Sequence, residues 1–147
     1  MQVKINKLKE DAIIPTRGSD KAAGYDLYAY AKDEPFAVII QPHETKLIGT
    51  GLSITPPDGY FGAIFARSGL ASKRGLRPAN CVGVCDEDYT GEYMVAVHND
   101  TDKPQCIEHG ERIAQLVFLP YVSADFVEVD KLEETDRGAG GFGSTGK

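Results

Sequence analysis

Apolar residues along this chain come in short bursts broken by turn-forming clusters, and the bursts favour a period of two over a helical period. VKI at 3–5 alternates, and FAVII at 36–40 is a short apolar run. KLIGTGLSI at 46–54 reads as a strand, which TPPDGY at 55–60 turns. YFGAIFA at 60–66 is apolar, interrupted by Gly62. EYMVAVHN at 92–99 and RIAQLVFLP at 112–120 carry apolar side chains at both parities, which predicts strands buried on both faces. DFVEVDKL at 125–132 alternates at its start. Turn signals recur every ~8–12 residues, the spacing of an all-β sandwich. One segment breaks the pattern: SGLASKRGL at 68–76 predicts a single short helix that stops at Gly75. There is no internal repeat, and the one biased segment is the glycine-rich end, RGAGGFGSTGK at 137–147.

Composition narrows the class. A chain of 147 residues, 41% hydrophobic and 26% charged, fits one domain with a core that needs no staples. No apolar run is long enough to span a membrane, and MQVKINKLKED lacks the apolar stretch of a signal peptide, so the expected location is the cytoplasm and no membrane partner is expected. The net charge of −6 argues against a nucleic-acid-binding surface, yet leaves room for one small anion held by local cations. Cys81, Cys85 and Cys106 form no CxxC pair. The CxxxC spacing of Cys81 and Cys85, with His98 and His109 as partners, fits no familiar zinc finger, so the thiols read as buried and reduced. His43, beside Pro42, reads as a surface residue.

The tail poses a sharper question. Gly141 to Lys147 match G-x-x-x-x-G-K, most of a phosphate loop. That loop needs a buried strand before it, a helix after it and a hydroxyl residue following the lysine; none of these is legible here. Even so, Gly138, Gly140, Gly141, Gly143 and Gly146 free backbone N–H groups to approach an anion. Arg137 adds charge, Ser144 and Thr145 add hydroxyls, and Phe142 is an unexpected aromatic. A plain linker needs neither Arg nor Phe; a flap closing over a nucleotide uses both.

Four further stretches accompany the tail in order: AAGYDLYA at 22–29, ARSGLASKRGL at 66–76, NCVGVCDEDYTGE at 80–92 and GERIAQLVF at 110–118. Together the five resemble the motifs of the trimeric dUTP pyrophosphatase (dUTPase) family, and the resemblance runs over nearly the whole chain. It implies an all-β, jelly-roll-like β-sandwich of the β-clip type, assembled as a homotrimer with active sites shared between copies. It divides the chain into a β domain at 1–136 and a flexible glycine-rich lid at 137–147. The implied reaction is hydrolysis of dUTP to dUMP and pyrophosphate with Mg²⁺, which limits uracil in DNA and supplies dUMP for thymidylate.

Residue roles follow from the same resemblance. Asp86 matches the carboxylate that readies water for attack on the α-phosphorus; on its own, DEDYTG is also a good turn. Asp26 matches the acid facing the water shell of the metal. Arg67, Ser68, Gly69 and Gln115 match the phosphate contacts, joined by Arg137, Ser144 and Thr145 from the tail. Arg112 reads as a structural ion pair. Asn80 and Gly83, in a hairpin running from Asn80 to Gly91, match the uracil slot. Tyr89 matches the ring under the deoxyribose, and Phe142 stacks on the base. Cys85 departs from the pattern, which has a branched aliphatic residue there. It reads as a packing change, because neighbouring acids would raise a nucleophilic thiol's pKa. Two alternatives share the fold. A dCTP deaminase relative fits the hairpin and the Phe-bearing tail less well. Regulatory phage relatives often carry an insertion between the fourth and fifth motifs, for which residues 120–136 leave no room.

Overall fold

The computed structural model describes residues 2–34 and 37–141. Along them run β1 (Lys4–Lys7), β2 (Tyr25–Tyr28), β3 (Val38–Ile40), β4 (Thr45–Gly49), β5 (Leu52–Thr55), β6 (Tyr60–Phe65), α1 (Ser68–Arg74), β7 (Leu76–Pro78), β8 (Val82–Cys85), β9 (Met94–Asn99), β10 (Gln105–Ile107) and β11 (Arg112–Pro120). A four-stranded sheet has the order β2-β11-β6-β8 and a three-stranded sheet the order β4-β9-β7. Two ribbons, β1-β5 and β10-β3, complete the ladders, and the named pairings are antiparallel.

The sheets enclose one core. Leu27, Ile64, Ile113 and Leu116 come from the larger sheet, and Ile48, Leu76, Val95 and Val97 from the smaller. Ile40, Leu52, Ile54 and Ile107 of the ribbons join the same cluster. Each such side chain stabilises the fold by about 1.5–3 kcal/mol on burial. This is the expected β-sandwich with one short helix. Gly75 ends α1 with φ 63°, and its N–H reaches the Ala71 and Leu70 carbonyls. Lys73 and Arg74 sit in the last turn, where positive charge suits the helix dipole.

The ladders correct several expectations. The run 46–54 is two strands, because Gly51 adopts φ 70° and breaks the extension. A Cβ there would lie 2.9 Å from the Ala12 Cβ. β9 alternates: Val95, Val97 and Asn99 are buried while Met94 is exposed, so a single copy covers one face only. Residues 125–132 join no ladder, and Phe126 is 99% exposed. Alternation alone does not form a strand without a paired neighbour. The stretch from Asn80 to Gly91 is not a two-stranded hairpin. β8 lies on β6, and a turn follows in which the Tyr89 N–H bonds the Asp86 carbonyl at 3.2 Å. Cys81 and Cys106 are exposed and Cys85 is half-buried, against the expectation of buried thiols; Cys81 lies in the loop before β8, and Cys106 faces outward from the middle of β10 while its neighbour Ile107 is buried. His43 is exposed, as expected, with φ 57°. Among the described residues, no helix is long and apolar enough to cross a membrane.

Candidate active site

Strand register brings three of the sequence motifs to one end of the larger sheet. Asp26 on β2 lies opposite Gln115 on β11, which in turn lies opposite Phe65, the last residue of β6. The chain leaves β6 at Ala66, whose carbonyl accepts a 2.8 Å bond from the Gln115 side-chain amide. The next residue, Arg67, turns back and donates from Nε to Asp26 Oδ1 at 2.7 Å. Arg112 Nη1 bonds the other oxygen, Oδ2, at 3.3 Å. The Asp26 side chain is only 14% exposed, so its charge is balanced by two guanidinium groups in a partly desolvated setting.

These residues line a pocket of about 540 Å³ together with Gly18, Ala22, Ala23, Gly24, Ser68 and Gly69. Helix α1 opens onto it with no side-chain cap and no acid in its first turn, which leaves the pocket end of the helix without competing negative charge. Gly24 has a specific job. A Cβ there would lie 2.5 Å from Gln115 Oε1, so only glycine lets the amide pass. The small-residue run before Asp26 (Ala22, Ala23, Gly24) was the sequence signal for these lining positions. Arg112 makes the ion pair expected of it, and it also faces the pocket.

The third motif sits elsewhere. β8 runs antiparallel to β6, with Val82 beside Phe65 and Cys85 beside Gly62. Asp86 therefore emerges near Phe61, at the opposite end of β6 from Arg67, about 13 Å of strand away. It is exposed and lines a cavity with Phe61, Val84, Glu87, Asp88 and Tyr121. Glu87 is tied down, accepting the Gly59 N–H at 2.7 Å. The neighbouring Glu87 carboxylate raises the Tyr121 pKa.

Asn80 and Gly83 do come together. A Cβ on buried Gly83 would lie 3.2 Å from the Asn80 side-chain nitrogen and 3.1 Å from the Ile64 Cβ. Cys81, between them in the loop, holds the left-handed φ of 60°, a strained choice for a residue with a side chain. The Tyr89 hydroxyl donates to the Glu92 carbonyl at 3.0 Å, and its ring lies over Gly91, where a Cβ would be 2.4 Å from that hydroxyl. Burial, chiefly, pushes the Cys85 thiol pKa up, and the Asp86 charge adds to it. That is the wrong direction for a nucleophile.

In the tail, Arg137 is exposed and donates to the Gly140 carbonyl at 2.9 Å; it lines neither the Asp26 pocket nor the Asp86 cavity. Phe142, Ser144 and Thr145 lie outside the described residues. No group of three or more His, Cys, Asp or Glu among the described residues could hold a metal. Asp26 offers a single carboxylate with both oxygens engaged. Such a donor set suits a magnesium ion met through water rather than one ligated directly by protein carboxylates.

Comparison with known proteins identifies the family. A family model described as dUTPase matches residues 10–146. The deoxyuridine 5'-triphosphate nucleotidohydrolase of Nautilia profundicola is 47% identical over 147 residues, covering 100% of both chains. That of Histophilus somni (strain 2336) is 52% identical over 135 residues, 91% of this chain and 87% of the relative. A solved structure of the Staphylococcus bacteriophage 80alpha dUTPase with dUPNHPP superposes with a TM-score of 0.88 at 29% identity, over 99% of each chain. The chain belongs to the dUTPase family.

Proposed function

We propose that this chain is a dUTP diphosphatase that works as a cytoplasmic homotrimer and hydrolyses dUTP to dUMP and pyrophosphate. One observation supports the assembly above all. Asp26, Arg67, Ser68, Gly69 and Gln115 share a pocket, whereas Asp86 lies at the far end of β6. With the two halves at opposite ends of β6, we read the site as composite: one copy supplies the phosphate pocket and another supplies Asp86 with the uracil slot. Exposed Leu47, Val82, Val84, Met94 and the run from Val122 to Leu132 are apolar surface for such assembly.

The substrate triphosphate carries roughly four negative charges near neutral pH. Arg67, the start of α1 and the Gln115 amide hold its oxygens, with Asp26 as the acceptor for ordered water. Bound magnesium would offset part of that charge, and Asp26 is the residue that would face its water shell. Asp86 accepts the proton of a water aligned with the α-phosphorus, and pyrophosphate departs on the opposite side. Asn80 and the Gly83 backbone present groups that pair with the uracil edge. Cytosine would leave those groups unpaired, a loss of ~1–3 kcal/mol each. Tyr89 closes the space beside C2′, against the hydroxyl of UTP. Residues 137–147 form a lid whose Arg137, Ser144 and Thr145 reach the phosphates while Phe142 covers the base.

The test is pyrophosphate release from dUTP, dTTP, dCTP and UTP in parallel, with and without Mg²⁺. Turnover of dUTP alone, dependent on Mg²⁺, is the expected result. Equal turnover of dCTP, or ammonia release from it, would overturn the assignment.

A further inference from the structure

We propose that Tyr93 is a positioning residue for Asp86, acting through the Cys85 side chain at the end of β8; this rests on the reading of Asp86 as the general base. Tyr93 is 1% exposed, and its hydroxyl is the one buried side-chain polar atom among the described residues without a hydrogen-bond partner. The Cys85 thiol is its neighbour but does not meet it in hydrogen-bond geometry. A buried hydroxyl left unpaired normally works against stability, so its place calls for a reason other than stability.

The place is specific. Gly62 and Cys85 face each other across the β6-β8 ladder. A Cβ on Gly62 would lie 3.0 Å from the Tyr93 hydroxyl and 3.4 Å from the Cys85 Cβ. The hydroxyl therefore fills the hollow at the Gly62–Cys85 rung. A branched aliphatic residue at 85 would compete for the same space. The thiol at 85, the glycine at 62 and the tyrosine at 93 are one packing solution.

That rung is the last before the chain leaves the sheet at Asp86. The prop beneath it is rigid: the Tyr93 N–H bonds the Leu52 carbonyl at 2.8 Å, and its carbonyl accepts from the Thr50 hydroxyl at 2.7 Å. The same ring lies 6.2 Å from the Tyr89 ring, tilted by 35°. One buried side chain thus braces both the carboxylate that would activate water and the aromatic that would hold the sugar.

The experiment measures kcat and KM for dUTP, and thermal melting, for Tyr93→Phe, Cys85→Val, the double variant and Asp86→Asn. Tyr93→Phe is expected to melt no lower than the parent, since it loses an unpaired polar atom, yet to lose roughly 5- to 20-fold in kcat with KM within about twofold. Cys85→Val is expected to lose kcat to a similar degree, and the double variant to recover part of it, because the added methyl takes the volume of the missing hydroxyl. Parental kcat in Tyr93→Phe, or single-variant losses that simply multiply in the double, would overturn the inference. If Asp86→Asn is dead while Tyr93→Phe is fully active, only the positioning role fails. If Asp86→Asn turns over normally, the assignment of the base itself is wrong.

Discussion

The phosphate-side pocket and the Asp86 segment are built on the same sheet, yet they differ in completeness. The pocket closes within one chain: Asp26 is held by two arginines, Gln115 is fixed to the Ala66 carbonyl, and Gly24 makes room for the amide. The Asp86 segment is open and exposed, beyond the opposite end of β6. Binding groups for a charged ligand need partners before the ligand arrives, because unpaired charge in a partly buried site is costly. A base that takes a proton from water needs solvent until the site closes. The two halves would meet those opposite demands in the roles proposed for them.

The largest effect should come from Asp86→Asn. Loss of the base is expected to lower turnover by about 10²–10⁴, while a non-hydrolysable dUTP analogue binds within a few-fold of the parent in calorimetry. Truncation after Asp136 should remove most turnover, at least about tenfold, with the melting temperature within ~2 °C, because none of the described residues it removes belongs to the core. Full activity in the truncated chain would show that the glycine-rich end is a bystander. The contrast between the halves is tested most directly by co-expressing Asp86→Asn and Arg67→Ala chains, each inactive alone. If the halves come from different copies, random mixing restores about a quarter of the sites, one half multiplied by one half. No recovery would mean that each copy carries a whole site. Tyr89→Ala should reduce the preference for dUTP over UTP by about tenfold, read from parallel kcat/KM values. The smallest effect concerns thiol reactivity. Burial and the Asp86 charge raise the Cys85 pKa, so its thiolate fraction near neutral pH is depressed, and alkylation should reach exposed Cys81 and Cys106 first.

Much of the fold could be read from the residues, because one-sided burial writes itself as alternation and Gly75 marks the end of α1 by its left-handed backbone. Strands of three or four residues such as β7 and β10 could not, being shorter than the window over which alternation is detectable. The break at Gly51 was hidden because an apolar run looks the same whether straight or bent. Residues 125–132 show the reverse: their alternation is real, but a pattern names a strand without naming its partner. In the site, Asp26, Arg67, Ser68, Gly69 and Gln115 were legible as a set and converge. The distance from that set to Asp86 was not legible, since it depends on the antiparallel register of β8 on β6. Tyr93 escaped notice because a tyrosine in an apolar strand looks like any core residue until its hydroxyl is seen to lack a partner.

The outward-facing run that contains Phe126 also bears on the newborn chain. Val122, Phe126, Val127 and Val129 would make an adhesive strand in any crowded solution. Asp125, Glu128 and Asp130 interrupt that run with like charge. Like charge at those positions works against pairing of this run with the same segment of another copy.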